Sequence, residues 1–332
     1  MWSEHYADGA RPDSTDRPGP CGPARDDRPV TTDPRSTVPD PCAADLREPA
    51  LLAALADLGL GRIDVLDEVG STNEHLTAAV TRQARGPRPD RPWTDLSLVL
   101  TGHQSAGRGR LDRVWTTEPG TALTFSLLLR PADARGRPLP TQHFPWLTLL
   151  MAAAVVDALD GLAAAGARIK WPNDVLVGGR KVAGLLAGLV PDPHRPPAVV
   201  LGTGINVAQQ QLPVATATSV RRATGRDVGR AAVLESVLGA FVPLYRAFCA
   251  DPAAATGPGG PLRARVAGRM ETLGRDVRAE LPGVGEPLAG VATGLGAHGA
   301  LLVRSADGAQ HEVTAGDLVH LRPAHDVPGG TR

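Results

Sequence analysis

The chain has 332 residues, 42% of them apolar, and 35 basic residues balance 35 acidic ones for a formal net charge of zero. That length accommodates one large domain plus a smaller one, and the neutral total excludes general polyanion binding, so a nucleic-acid role would require a local patch. Cys21, Cys42 and Cys249 are widely spaced and form no CxxC or Cys/His pattern, which argues against a disulfide framework or structural zinc and fits a reducing cytoplasm. Glu4, Asp8 and Asp13 stand where a signal peptide needs an apolar run, and no stretch of about 18 apolar residues occurs, so a soluble cytoplasmic protein is expected.

Residues 1–45 carry eight prolines, mixed charge and almost no aliphatic side chains, a composition that cannot offset its ordering entropy and is expected to form a disordered tail. It has no helix-turn-helix periodicity, so no DNA-binding module is expected there. Helical spacing begins at Asp45 in DLREPALLAALADLGL and is expected to end at Gly61, and RIDVLDEV then alternates as a strand. Ser71 and Glu74 stand in capping-box register at the start of STNEHLTAAVTRQA, so Ser71 should begin a helix. LSLVLTGHQ and TALTFSLLLR read as buried strands, and a long helix should follow from Pro145 to Leu162.

In RIKWPNDVLVGGRKVAGLLAGLV, two apolar runs flank Gly178-Gly179, a hairpin signal. AVVLGTGINV is a further strand, and Ala231–Cys249 is an amphipathic helix containing Pro243. DPAAATGPGGP (residues 251–261) reads as a linker, after which short strands separated by turns predict a small barrel-like β domain. The expected organisation is α+β: a tail over 1–45, a first domain over 46–255 and a β module over 262–323. Gly294–Gly299 matches GxGxxG, but a strand follows it where a dinucleotide site needs a helix, so it reads as a turn.

Three arginines crowd the segment Ser105–Trp115, SAGRGRLDRVW. Gly107 and Gly109 allow backbone N–H groups to approach an oxyanion, and Arg108, Arg110 and Arg113 offer forked donors for phosphate or carboxylate. A solvated loop is the alternative. Lys181 follows the Gly178-Gly179 turn beside Ala183 and Gly184, where it can reach a ligand lying against the backbone or simply guard a sheet edge. Asn173 and Asp174 in WPND, and Asn206 at the end of GTGIN, supply amides and a carboxylate that could serve a ligand or a turn. No HxxxH spacing and no GxSxG elbow is present.

Taken in chain order, STN at 71–73, GHQSAGRGR with RVW at 102–115, KWPND at 170–174, RKVAG at 180–184 and GTGIN at 202–206 closely resemble the biotin protein ligase family. TLGRDVR at 272–278 and AGDLVHLR at 315–322 resemble that family's C-terminal domain. The resemblance implies a class II synthetase-like mixed sheet with helices, plus a small SH3-like β barrel. It implies a ligase that makes biotinyl-5′-AMP from biotin and ATP, with Mg²⁺ carried by the nucleotide, and transfers biotin to a lysine of a biotin carboxyl carrier domain. It further implies that Ser71, Thr72, Asn73, Gln104, Arg108, Gly109, Arg110, Lys181 and Gly184 bind biotin. Arg110, Trp115, Asn173, Asp174, Lys181 and Asn206 would bind ATP or the adenylate, with Lys181, Arg108 and Arg110 catalytic and Asp174 orienting Lys181 or helping to position Mg²⁺.

The loop departs from the family's GRGRRGR, because Leu111-Asp112 replace an Arg-Gly pair. With a Pro-rich tail in place of a helix-turn-helix, operator binding is not expected. The family includes monomers and dimers, so a homodimer is open. A lipoate ligase or octanoyltransferase of the same fold family is the alternative, against which the GRGR loop and KWPND together argue.

Overall fold

The computed structural model describes residues 41–87, 89–111, 113–280, 286–315 and 320–323. Most of the expected tail, and Asp112, lie outside these residues. A 3-10 turn, Pro41–Arg47, opens the fold, and Ala43 and Leu46 within it are fully buried, so order begins before the expected boundary at residue 45. A separate helix α1 (Pro49–Asp57) follows, and the single helix predicted from Asp45 is thereby divided. The cause is Pro49 at the first helical position: it has no N–H to continue a helix and biases Glu48 towards extended backbone. Just past the end of α1 stands Gly59, not the expected Gly61, and its φ of +74° suits a residue without Cβ.

The chain continues through β1 (Ile63–Val69), α2 (Thr72–Arg85), β2 (Ser97–Gln104), the two-residue strands β3 (Gly107–Arg108) and β4 (Val114–Trp115), and β5 (Ala122–Leu129). After α3 (Pro145–Ala163) come β6 (Arg168–Lys170), β7 (Asp174–Val177), β8 (Arg180–Asp192) and β9 (Arg195–Asn206). The seven long strands form one sheet in the order β1-β2-β5-β9-β8-β7-β6, with β1 and β2 parallel and every other neighbour pair antiparallel. The Gly178-Gly179 hairpin forms as predicted, with φ of +56° and +73° at the two glycines.

Strand alternation sorts side chains to two faces. Leu98 and Leu100 join the main core, whereas Val99 joins a second cluster with Leu76 and Val80 of α2. Against the main-core face pack α3 and α5 (Arg230–Ala250), bringing Trp146, Phe241 and Phe248 to complete burial, at roughly 1.5–3 kcal/mol for each large apolar side chain. Segments 141–163 and 230–250 are long and apolar enough, by length and composition, to cross a membrane, which corrects the expectation that no such stretch exists. Their apolar surface is spent on the core: 72% and 56% of their most apolar windows are buried.

Between β9 and α5 lies the short α4 (Val220–Thr224). At the start of α5, Arg230 is buried and forms a node. Its guanidinium pairs with Asp45 and donates to the carbonyls of Cys42, Gly102 and Ala122. One side chain thus ties the 3-10 turn to the ends of β2 and β5. A buried charge is stable only when so fully partnered.

The expected linker is folded. It forms α6 (Pro252–Thr256), capped by Asp251 accepting from the Ala254 N–H at 2.9 Å, and α7 (Pro261–Gly268). Both prolines sit in the first turn, where they start helices instead of interrupting them. The C-terminal strands β10 (Asp276–Glu280), β11 (Leu288–Leu295), β12 (Leu301–Arg304), β13 (Gln310–Val313) and β14 (His320–Pro323) make a five-stranded antiparallel sheet in the order β13-β12-β11-β10-β14. The α+β expectation holds, as a mixed sheet with helices plus a small β domain. Gly296–Gly299 is a turn between antiparallel strands, as its context predicted.

Candidate active site

Gly202, Gly204 and Asn206 fall on the α2 face of β9, two, four and six residues beyond Val200 of that face's cluster. Gly204 pairs with Gly184 across β8 and β9, and Gly202 pairs with Leu186. The result is a floor on which Gly184, Gly202 and Gly204 present no Cβ atoms. Trp115 lies on it: a Cβ at Gly204 would meet its ring atoms at 2.7 Å, and one at Gly184 would come within 3.3 Å. A cavity of about 890 Å³ opens above this floor.

Three walls enclose the cavity. The first is the start of α2. Ser71 caps the helix, its Oγ accepting from the Glu74 N–H at 3.4 Å. Gln104, at the end of β2, accepts from both the backbone N–H and the hydroxyl of Thr72, at 2.8 and 3.0 Å. Asn73 donates to the Leu186 carbonyl at 2.9 Å, and Ser126 Oγ is placed to donate to Asn73 Oδ1 at 2.7 Å. Asn73, expected as a ligand contact, therefore spends its amide on fastening α2 to the sheet, and Gly202 is required beneath it because a Cβ would lie 2.3 Å from Oδ1. Ser71, Thr72 and Gln104 are buried polar groups around a helix N-terminus, which favours an anionic or hydrogen-bonding ligand.

The second wall is the arginine-rich ribbon. β3 and β4 pair over only two residues, Gly107 with Trp115 and Arg108 with Val114. Gly107 is needed there, because a Cβ would stand 2.4 Å from the Trp115 carbonyl. Arg108 is exposed and pairs with Glu74 at 2.7 Å, so Glu74 is drawn away from a reciprocal capping box. Arg110 reaches across the cleft and donates to the Ala315 carbonyl of the C-terminal domain at 2.7 Å. Burial holds its guanidinium below arginine's usual range, Asp174 opposes that shift, and Arg113 adds to it by repulsion. Gly109 lies in the bend between these arginines.

The third wall carries Lys181. Its ammonium pairs with Asp174 at 2.6 Å and sits 5.6 Å from the centre of the Trp115 ring. Asp174 and Lys181, both expected at the site, thus form a direct ion pair. Asn173 donates to the Leu185 carbonyl at 2.8 Å while its own carbonyl accepts from the Leu185 N–H at 2.9 Å, which clips WPND onto β8. Asn206 is committed as well: it donates to the Thr218 carbonyl at 3.0 Å and accepts from Gln209 at 2.9 Å, holding the segment after β9.

Sequence reasoning did not find the floor's supporting cast. Ser126, with Thr124, is a polar interruption of a buried apolar strand, a signal that was available. Thr272, Arg275 and Ala315, which bring the C-terminal domain to the cavity, fall in the two C-terminal motifs, but nothing in the spacing of those motifs places them at this site. Trp115 Nε1 is buried without an acceptor among the described residues, so the cleft retains an unspent donor for a ligand. Among the described residues, no group of three or more His, Cys, Asp or Glu side chains could hold a metal ion.

Two family models match the chain: the biotin/lipoate A/B protein ligase family over residues 78–206 and the biotin protein ligase C-terminal domain over 272–321. A biotin–[acetyl-CoA-carboxylase] ligase of Mycobacterium tuberculosis is 35% identical over 80% of this chain and 92% of its own length. The bifunctional ligase/repressor BirA of Bacillus spizizenii is 39% identical over 45% of this chain, which spans only about half (46%) of that relative's length. Among solved structures, the biotin protein ligase of Aquifex aeolicus in complex with biotin and ATP superposes with a TM-score of 0.63 at 26% identity, covering 79% of this chain and 99% of that one.

Proposed function

The chain belongs to the biotin protein ligase family, and on that premise we propose that it activates biotin with ATP and transfers it to a lysine of a carboxylase carrier domain. In the first step a biotin carboxylate oxygen attacks the α-phosphate of Mg²⁺-bound ATP, the phosphoanhydride bond breaks, and pyrophosphate leaves. In the second, the ε-amine of the carrier lysine attacks the acyl carbon of biotinyl-5′-AMP, forming an amide and releasing AMP.

The observation that carries this reading is the Lys181–Asp174 pair on the glycine floor, facing the half-buried Arg110. Two anions must meet in the first step. Lys181 and Arg110 offset their repulsion and stabilise the charge that develops in transfer, most effectively where water is excluded. Ser71, Thr72 and Gln104 accept the biotin end, and Trp115 Nε1 donates to the adenylate. Arg108 and Gly109 belong to the ribbon that covers the intermediate and slows its hydrolysis. A cytoplasmic location, where ATP is at hand, is part of the same proposal.

Incubation with biotin, Mg-ATP and a carrier domain, read by streptavidin blot and pyrophosphate release, tests the proposal. Labelled carrier is expected. Turnover with lipoate in preference to biotin would replace the reading with a lipoate ligase.

A further inference from the structure

Two buried tryptophans of the catalytic domain donate to the same turn of the C-terminal domain. Trp146 Nε1, from α3, donates to the Ala297 carbonyl at 2.8 Å; Trp171 Nε1, from KWPND, donates to the Gly299 carbonyl at 3.0 Å. Trp171 is held a second time, its backbone N–H donating to Thr272 Oγ1 at 3.0 Å. The two residues differ in what lies beyond them. Trp146 continues into a core helix. Trp171 is two residues from Asn173, which is clipped on both sides to Leu185, and three from Asp174, which grips Lys181.

The turn itself is tightly fitted. Gly299 has a φ of +77°, and a Cβ there would press on Leu149 at 3.2 Å. The C-terminal domain therefore presents fixed carbonyls, not a pliable loop, to the strand that carries Asp174.

We propose that Trp171 is a positioning residue for the ligation reaction: through its bonds to Gly299 and Thr272, the C-terminal domain sets where Asp174 holds the Lys181 ammonium. This rests on the reading of Lys181 as the cation of the adenylation step. The biotin end of the cleft, on α2 and β2, does not depend on this linkage, so positioning and binding separate kinetically. A misplaced Lys181 meets the transition state poorly while biotin still enters its pocket.

The paired tryptophans provide the test. Trp171→Phe and Trp146→Phe each keep an aromatic ring and remove one indole donor to the same turn. In the full chain, Trp171→Phe is expected to lower kcat for biotin-dependent pyrophosphate release about tenfold with KM for biotin within about twofold. Trp146→Phe should leave both within about twofold, even where it lowers the melting temperature as much. Thr272→Val should lower kcat in the same direction, and Thr272→Ser, which keeps the acceptor, should restore it. These threonine variants decide the matter if Trp171→Phe does not fold. Equal kcat losses in both tryptophan variants, or an unchanged kcat in Trp171→Phe and Thr272→Val, would overturn the proposal. Pyrophosphate release surviving in Lys181→Ala would instead overturn the functional reading on which it rests.

Discussion

The floor of the cleft and the ribbon above it solve opposite problems. The floor is the centre of a seven-stranded sheet, where Gly184 and Gly204 face each other across paired strands and Lys181 is fixed by an ion pair. The ribbon pairs over two residues, exposes Val114 at 75% and Leu111 at 54%, and holds Leu111 at a φ of +54°. Under the proposed function, a charge needed at one point sits on regular sheet, and the intermediate is covered by a ribbon with little pairing of its own. Arg110 is carried by the ribbon but anchored to neither region, since its guanidinium donates to Ala315 of the C-terminal domain.

Removing the fixed charge should give the largest effect. Lys181→Ala is expected to slow adenylate formation by about 10³-fold, the scale of losing one preorganised donor to developing charge, measured as biotin-dependent pyrophosphate release. Breaking the floor while keeping the charge should cost less. Gly204→Ala places a Cβ 2.7 Å from the Trp115 ring, so the indole must lift, and KM for ATP is expected to rise about tenfold, as for about 1.4 kcal/mol of overpacking. Loosening the ribbon should alter the fate of the intermediate more than its formation: Arg110→Gly is expected to release biotinyl-5′-AMP, seen as increased labelling of bystander lysines by streptavidin blot. The smallest effect is expected from the exposed Glu74–Arg108 pair, both side chains of which are more than half exposed. Glu74→Gln should shift stability by less than ~1 kcal/mol in a denaturant titration. A large loss there would mean that the ribbon is as rigid as the floor.

The two regions also differed in how far the sequence revealed them. The hairpin around Gly178-Gly179, the N-cap at Ser71 and the place of Lys181 among small residues were legible because each depends on a local rule. The ordered motifs also hold residues that line one cavity, Ser71, Lys181 and Asn206 among them. What was not legible depends on long-range packing. The amides of Asn73 and Asn206 look like ligand donors in sequence but are spent on Leu186 and Thr218. Trp171, expected as part of a ligand motif, has its indole turned to the C-terminal domain. The 251–261 segment looked like a linker because its proline and glycine content mimics one, although the prolines start helices and Ala255 and Thr256 are buried.

The Arg230 node bears on how the protein can be handled in the laboratory. Its acceptors include Asp45 and the Cys42 carbonyl, both of which lie inside the segment that composition alone would discard. An expression boundary or protease site placed at residue 46 would leave a buried guanidinium facing a solvent gap at the ends of the strands that bear Gln104 and pair with Asn206. A boundary placed before Pro41 keeps that plug in its socket.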